Sequence, residues 1–294
     1  LNLGSNFDTS NVYDMTWMFA YTGHEAMTGL DLGSKFNTSK VTNMSSMFYA
    51  CGHEALTTLN LGSNFDTSKV TNMSSMFKET GYTAMTNINL GSKFNTINVT
   101  NMFEMFMYCG RTKMQTLNLG SNFDTRNVTN MGSMFGGTGI NQLKSLDLGD
   151  KFDTSKVETM SFMFSDCGRE AMETLNLGNK FSTGNVTNMN SMFYQAGRQV
   201  LTTLDLGDKF NTSKVTNMSG MFNWMGALET LNLGTNFDTS NVTNMEGMFW
   251  GTGYSKMSSF SLGDKFDTSK VTDMNSMFYD MGGTALKALD LGDK

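Results

Sequence analysis

Cysteine is the most reactive residue type in this chain, and its three copies are regularly spaced. Cys51, Cys109 and Cys167 follow one another at intervals of 58 residues. If the chain is built of stacked repeats of 29 residues, neighbouring cysteines lie two coils apart, which is roughly 10 Å at a coil spacing of ~4.8 Å. That separation is too long for a disulfide, whose Cα atoms are usually ~4.4–6.8 Å apart. We therefore predict buried free thiols that pack as small apolar side chains.

Histidine offers a second possible chemistry. His24 and His53 are one repeat apart, and each is followed by a glutamate, Glu25 or Glu54. Two imidazoles and two carboxylates in adjacent coils could ligate a transition metal. Other units carry different residues at the histidine position, such as Tyr82 and Arg111, and a recent duplication of one unit explains the pair as well. These four residues are the candidate metal ligands of the chain.

No catalytic arrangement stands out from the rest of the sequence. A nucleophile with its base, a glycine-rich phosphate loop and a pair of carboxylates are all absent as distinct motifs. Of the 28 methionines, twenty occupy the two positions typified by Met73 and Met76. Because methionine fills irregular gaps between packed elements, we interpret them as core residues. The sequence thus predicts a protein that is not an enzyme and has no cofactor.

A repeating unit of 29 residues organises the whole chain, and residues 59–87 are one copy of it. The units begin at Leu1, Leu30, Leu59, Ile88, Leu117, Leu146, Leu175, Leu204, Leu231 and Phe260, and an eleventh opens at Leu289. Only the eighth unit is shorter, with 27 residues, and its deletion lies just after Gly226. A fixed period of this length indicates a solenoid, in which no unit is stable alone and each packs on its neighbours. We predict one array over residues 1–294.

The start of each unit has the alternation of a β-strand. Leu59 and Leu61 share one face, whereas Thr58 and Asn60 lie on the other. One such strand per coil predicts a single parallel sheet along one side of the array.

The middle of each unit has the spacing of a short helix. Its apolar residues follow at i, i+3, i+6 and i+7, as in Val70, Met73, Met76 and Phe77. Asp66 and Thr67 precede this segment as potential caps, and Gly81 follows it where a left-handed cap would end a helix. We therefore expect an α/β solenoid: a right-handed, leucine-rich-repeat-like stack with one short parallel strand and one short helix per unit.

The unit resembles that of the BspA-type leucine-rich repeat proteins of bacterial cell surfaces. The likeness is carried by Leu30-Asp-Leu-Gly-Ser-Lys-Phe-Asn-Thr-Ser-Lys-Val-Thr-Asn-Met-Ser-Ser-Met-Phe-Tyr-Ala-Cys51 and its copies along the whole chain. The resemblance implies an extracellular protein on the bacterial cell surface, anchored by segments outside the repeats and acting as an adhesin.

Charge and hydropathy exclude two classes of partner. The net charge is −6 with both signs interspersed, so there is no basic surface for nucleic acid or for an anionic membrane. No apolar run approaches the ~18 residues of a membrane span. We expect no nucleic acid partner and no membrane contact by this segment. The chain opens directly on Leu1 without a signal peptide pattern, which suggests an excised piece of a longer protein.

Two surfaces are candidate binding sites for a ligand. One is the outward row of the sheet, formed by Asn60, Asn89, Asn118, Asp147, Asn176, Asp205 and Asn232. A regular polar row could bind a glycan or an extended peptide, or it could be a solvated face with amide ladders between coils. The other surface carries the aromatic residues Tyr49, Tyr108, Tyr194, Trp224, Trp250 and Tyr279. Exposed aromatic rings suit sugar rings and protein hot spots, although these rings could also roof the loop.

The sequence therefore predicts a non-enzymatic adhesion or interaction module that binds a protein or glycan of a host or neighbouring cell. A structural stalk or fibre, built by end-to-end stacking of solenoids, is the alternative. It is suggested by the strand sequence at both ends, Leu1 and Leu289, which we expect to be covered by more repeats, by caps or by another copy. Ice binding is a third possibility, raised by the threonines of the sheet face and opposed by its many Asn and Asp residues.

Overall fold

The computed structural model describes residues 1–62 and 64–292 of the 294-residue chain. Each repeat forms one coil, and every coil lies against its neighbours in register. Thr58 pairs with Asn87, for example, and Leu59 pairs with Ile88, which is 29 residues further on. The repeat period of the sequence is thus the coil period of the structure.

Short parallel strands mark the beginning of eight coils, whereas those that open at Leu1, Leu30 and Leu117 have none among the described residues. In the described residues they are β1 Thr58–Asn60, β2 Asn87–Asn89, β3 Ser145–Asp147, β4 Thr174–Asn176, β5 Thr203–Asp205, β6 Thr230–Asn232, β7 Ser259–Ser261 and β8 Ala288–Asp290. In β1, Leu59 is buried between exposed Thr58 and exposed Asn60. The alternation of the sequence therefore predicted these strands correctly.

The strands do not form the single sheet that we expected. They pair as β1–β2, β3–β4, β5–β6 and β7–β8, which makes four two-stranded parallel sheets in the described part of the chain. The turn that follows each strand contains a glycine, and these turns approach one another in the same pairs as the strands. A Cβ added to Gly91 would lie 2.7 Å from the carbonyl oxygen of Gly62, whereas one added to Gly62 or Gly120 would meet nothing within 4 Å. The strand side is therefore closed within each pair of coils and open between pairs.

A second ladder supplies the continuity that the strands lack. Isolated parallel bridges connect one residue of each coil to its counterpart in the next, thirteen residues after the middle of the strand position. Its members are Asp14, Asn43, Asn72, Asn101, Asn130, Thr159, Asn188, Asn217, Asn244 and Asp273. Backbone pairing thus holds neighbouring coils together at two places within each strand pair and at the second ladder between pairs.

The helix that we predicted for each unit is wrong, because residues 1–62 and 64–292 contain no helix. Between Met73 and Phe77, alternate amides donate across to the next coil: Met73 N to Asn101 O at 3.0 Å and Phe77 N to Met105 O at 2.9 Å. The amide of Met76 instead donates to Met73 O of its own coil at 3.2 Å. The segment is therefore a run of tight turns that is hydrogen-bonded to the same segment of the next coil.

Coil spacing explains why a helix does not form there. Parallel backbone pairing places coils ~4.8 Å apart, whereas an α-helix with its side chains is ~10–12 Å wide. Helices in successive coils could not lie side by side at that spacing. Ser75 and Glu79 have φ of 53° and 57°, outside the right-handed helical region. The fold is therefore an all-β coil stack, and the helix-containing, leucine-rich-repeat-like class is corrected.

The residues around the expected helix have other roles. The side chain of Asp66 accepts the amide of Ser68 at 2.9 Å, which makes an Asx turn, and Thr67 bonds to the next coil. Gly81 is left-handed as expected, with φ of 53°, but it closes a turn in which the amide of Met85 donates to its carbonyl.

The core consists of columns of identical side chains. The rings of Phe77 and Phe106 stack with centroids 5.4 Å apart, and Phe94 stacks on Phe123 in a second column at 6.4 Å. Met73 and Met76 are fully buried, which confirms their interpretation as core residues. These rings therefore pack against identical rings in the adjacent coils. The core side chains are buried only when coils stack, and not within a single unit.

Candidate functional site

The polar row of the strand side is engaged in local turns. Seven residues share one contact, in which the side-chain Oδ1 accepts the amide of the glycine two positions later at 2.9–3.0 Å. They are Asn60, Asn89, Asn118, Asp147, Asn176, Asp205 and Asn232. One acceptor of each side chain thus stabilises the turn that follows the strand.

Contacts between coils occupy some of the remaining groups of this row. The amide nitrogen of Asn232 donates to Asp205 Oδ1 at 3.0 Å, and that of Asn89 lies 3.5 Å from Asn60 Oδ1. The seven side chains are exposed, as the alternation predicted. This geometry fits the amide-ladder interpretation, and the ligand-binding interpretation stays a prediction.

Open polar clefts lie where neighbouring pairs of coils separate. One, of about 640 Å³, is lined by Asn60, Asn89 and Asn118 together with the glycines of the adjoining turns. Another, of about 540 Å³, is lined by Asn232 and Asp290 near the end of the chain. Both clefts are lined by exposed polar side chains and glycines together with apolar strand residues such as Leu90 and Leu233, so they offer hydrogen bonds beside apolar surface.

On the aromatic side, the contacts between side chains differ from coil to coil, unlike those of the polar row. At one end, the ring of Tyr49 contacts those of Tyr21 and Trp17 edge-on, at centroid distances of 5.0 and 5.5 Å. At the other end, Trp250 meets Tyr279 edge-on at 5.2 Å. Edge-to-face geometry of this kind stabilises aromatic pairs beyond the area that they bury.

Two inner aromatic residues lie over glycines of the next coil. A Cβ on Gly137 would come within 2.1 Å of the Tyr108 ring, and one on Gly251 within 2.7 Å of the Trp224 ring. The guanidinium of Arg198 also lies 4.7 Å from the ring centre of Trp224. These rings partly roof the coil, as one of the two sequence interpretations held, and keep some surface free.

Three aromatic residues border a cleft of about 430 Å³ on this side. Tyr108, Phe162 and Tyr194 come from the fourth, sixth and seventh units, and Gly136 and Gly137 of the fifth unit lie between them. We name this the coil-five cleft. Our sequence reasoning selected Tyr108 and Tyr194 but missed Phe162. Phe162 could have been found as a departure from the repeat, since five other units carry serine at its position.

The coil-five cleft also contains a half-buried carboxylate, that of Asp166. Burial raises the pKa of this group above its usual value, while the nearby Arg169 guanidinium opposes that shift. Arg169 Nη1 lies 3.4 Å from Asp166 Oδ1, and Arg169 Nε donates to Glu170 Oε1 at 2.7 Å. The acid is therefore held beside a cation and lies at an aromatic wall.

The two histidines form a stack. The rings of His24 and His53 are 4.5 Å apart and 6° from parallel, and His53 stacks in turn on Tyr82 at 4.5 Å. His53 Nδ1 lies 2.7 Å from Glu54 Oε1, whereas Glu25 is exposed. A metal ion binds imidazole in the ring plane, and the in-plane lone pairs of parallel stacked rings do not converge. Nor do the described residues contain any group of three His, Cys, Asp or Glu side chains arranged to hold a metal ion.

The three cysteines are buried free thiols, as the spacing predicted. Burial raises the pKa of Cys51 and Cys167 to about 12, and that of Cys109 rises for the same reason. Because the thiolate is the nucleophile and the metal ligand, these side chains are chemically inert in the folded protein.

Stacked coils, two parallel ladders and columns of identical core side chains define a β-solenoid. The chain belongs to the family described as "Mycoplasma protein of unknown function, DUF285", whose profile matches residues 2–80, 24–137, 111–223 and 199–287. This is a repeat family related to BspA-like surface repeats. No curated protein and no solved structure matches the chain. No helix in residues 1–62 or 64–292 is both long and apolar enough to cross a membrane.

Proposed function

We propose that this chain is a non-enzymatic interaction module of an extracellular bacterial surface protein. It binds a protein or glycan of a host or neighbouring cell through the aromatic side of the solenoid. The observation that carries the proposal is the coil-five cleft, in which aromatic rings and a carboxylate lie together on a rigid stack of coils.

A comparison of the two candidate surfaces favours the aromatic side. The asparagine and aspartate residues of the strand side already use an acceptor to hold their own turns, as Asn60 does with Gly62. On the aromatic side, Phe162 keeps 42 % of its surface exposed. Exposed rings of this kind supply most of the binding energy at many interfaces, because they bury a large rigid area at low entropic cost.

The extracellular location rests on the resemblance to cell-surface repeats and on the relation of the family to them. A rigid array also suits display, because its coils are paired through backbone hydrogen bonds along the stack. It can therefore present a cleft away from an anchor without a compact globular domain around it.

Adhesion of coated beads to cells tests this function. Beads carrying the purified protein are incubated with cultured epithelial cells and, separately, with bacterial cells, with soluble protein as competitor. The aromatic variant combines Phe162→Ser and Tyr194→Ser, since other units carry serine at both positions, as Ser133 and Ser165 show. The matched strand-side variant combines Asn60→Asp, Asn89→Asp and Asn118→Asp.

We expect competable adhesion that falls at least tenfold in the aromatic variant and persists in the strand-side variant. The opposite pattern would place the binding surface on the strand side. Wild-type beads that adhere to neither kind of cell would overturn the adhesive function altogether.

End-to-end self-assembly of solenoids remains the second candidate. Filaments in electron micrographs of the purified chain, abolished by Leu3→Lys, would support assembly, and a monodisperse solution at high concentration would refute it. The strand side does not favour ice binding, because its exposed threonines, such as Thr58, alternate with Asn and Asp residues held in turns.

A further inference from the structure

We propose that the coil-five cleft binds an uncharged carbohydrate, with Phe162 as the stacking platform and Asp166 as a hydrogen-bond acceptor for sugar hydroxyls. The inference rests on the proposed function, since it names the ligand class of the aromatic side.

A local departure from the repeat creates the cleft. At two adjoining positions the fourth unit carries Met107 and Tyr108, and the sixth carries Ser165 and Asp166. The fifth unit has Gly136 and Gly137 instead. Removal of two side chains between neighbours that keep theirs leaves a notch. Its volume of about 430 Å³ lies in the lower part of the range of small-molecule sites, ~300–1,000 Å³.

Backbone hydrogen bonds make the floor of the notch rigid. Tyr108 N donates to Gly136 O, Gly137 N to Ser165 O and Asp166 N to Tyr194 O, each at 2.7 Å. Four successive coils are thereby joined beneath the cleft. The site is formed before a ligand arrives, so little conformational entropy is lost on binding.

The apolar part of the cleft suits the face of a pyranose ring. Phe162 offers a flat, partly exposed ring at a position where the fifth and seventh units have the small residues Ser133 and Ser191. The C–H bonds on one face of a hexose pack on such a ring, while the hydroxyls project sideways from it. A sugar therefore buries the ring without desolvating its own polar edge.

The polar part of the cleft suits the hydroxyl edge of the same ring. Asp166 has a carboxylate that is 21 % exposed and accepts from Arg169 at 3.4 Å. A planar carboxylate has two oxygens and about four acceptor sites, so it can bind adjacent hydroxyls of a sugar in addition to Arg169. Ser133 and Ser191 add hydroxyl groups to the lining.

The charges around the cleft favour a neutral ligand over an ammonium group or a phosphate. An aromatic cage for a cation uses rings together with a carboxylate that is free to attract it. Here Asp166 faces Arg169 and, at longer range, Arg111, and Arg169 is itself paired with Glu170. Because these charges largely cancel, the local field gives little selection for an ion of either sign.

Saturation-transfer NMR with methyl glycosides of the common hexoses and N-acetylhexosamines tests the inference. Tetramethylammonium and inorganic phosphate serve as charged probes, and calorimetry with the best glycoside gives its Kd. Phe162→Ser removes the platform, Asp166→Ala removes the acceptor, and Gly136→Met restores the side chain of the fourth unit. Phe103→Ser is the matched control, because Phe103 is an exposed phenylalanine (38 %) that does not line the cleft.

We expect saturation transfer to at least one glycoside, with Kd raised tenfold or more by each of the three cleft variants and unchanged by Phe103→Ser. Circular dichroism of every variant checks that the coil stack is intact. Binding of tetramethylammonium or phosphate in place of the glycosides would overturn the inference, and so would glycoside binding that survives Phe162→Ser and Gly136→Met.

The two proposals fail in different ways. Glycoside binding by a protein whose beads adhere to no cell would overturn the adhesive function alone. Adhesion that depends on Phe162 and Tyr194, combined with an absence of glycoside binding, would overturn the carbohydrate alone and indicate a protein ligand.

Discussion

The hydroxyl of Thr67 makes two hydrogen bonds to the backbone of one residue in the next coil, Asn95. It accepts from the Asn95 amide at 2.7 Å and donates to the Asn95 carbonyl at 2.8 Å. Thr67 is fully buried. A side chain therefore supplies a pair of contacts that backbone pairing supplies elsewhere, which explains a threonine at this position of all ten units.

Loss of the Thr67 hydroxyl should lower the free energy of unfolding, because each backbone group that it hydrogen-bonds loses its partner. Thr67→Val keeps the shape but removes the partner of both the amide and the carbonyl of half-buried Asn95, at up to about 1–3 kcal/mol for each such group. Thr67→Ser keeps the hydroxyl and is the control. Urea denaturation followed by circular dichroism measures the difference. Equal stability of the valine and serine variants would show that the two hydrogen bonds contribute nothing.

The phenylalanine column should contribute much more to stability than the aromatic surface. Phe77→Ala opens a cavity between stacked rings, and we expect a loss of about 3–5 kcal/mol. Tyr49 is half-buried and packs edge-on against other exposed rings, so Tyr49→Ala should cost far less. Thermal and urea unfolding of the two variants provide the comparison. Similar losses for both would mean that the assignment of inside and outside is wrong.

Two substitutions of Asn60 distinguish its role in the turn from a role in ligand binding. Asn60→Asp keeps the Oδ1 acceptor for the Gly62 amide, whereas Asn60→Ala removes it. By analogy with helix caps, loss of such an acceptor costs about 1 kcal/mol. We therefore expect the alanine variant to be less stable in urea and the aspartate variant to match the wild type. A ligand role that requires the amide nitrogen would appear instead as lost binding in Asn60→Asp at unchanged stability.

One ion pair gives a pH-dependent contribution to stability. Burial of Asp124 opposes its ionisation, but hydrogen bonds from Arg126 outweigh that effect and lower the pKa of Asp124 below its usual 3.8. Because the unfolded chain then binds the proton more tightly, this stabilisation is complete above about pH 4 and disappears as the pH falls through the lowered pKa. Arg126 is largely exposed, so solvent screening keeps this contribution small.

Arg126→Ser tests this, because serine is the common residue at that position of the unit, as in Ser68. The variant should be less stable than the wild type at pH 7, and the difference should shrink as the pH is lowered towards 2. The same difference in unfolding free energy at both values would rule out an ionic origin.

The cysteines should react only after unfolding. Burial raises the pKa of Cys167 to about 12, so no thiolate is present at pH 8. Titration with a thiol-specific disulfide reagent should give no fast reaction in buffer and three thiols in concentrated urea. Tyr279→Cys is the positive control, because Tyr279 is 57 % exposed. Fast reaction of a wild-type thiol in buffer would show that the coil stack opens readily.

The aromatic site could be predicted only in part, and the reason lies in its geometry. Tyr108 and Tyr194 were evident from their residue type, but their junction with Phe162 and Asp166 across Gly137 involves four different coils. Such a junction is visible in the sequence only when units are compared column by column and departures in adjacent units are combined. The histidine pair shows the converse. The repeat period predicted that His24 and His53 lie side by side. It did not predict that their rings stack in parallel, which keeps the nitrogen lone pairs of the two rings from converging.

The sequence by itself determined the coil period, the strand at Leu59 and the buried side of the unit, because burial follows directly from the spacing of apolar residues. It could not determine how the Met73–Phe77 segment forms its backbone hydrogen bonds. Spacing of i and i+3 identifies the side chains that lie together, and both a helix and a run of turns satisfy it. Only the tertiary structure decided between them, since the continuous second ladder holds neighbouring coils too close for a helix and alternate amides have a partner in the next coil. The cleft that carries the proposed function forms on this continuous stack of coils, where Gly136 and Gly137 replace the larger side chains of the neighbouring coils.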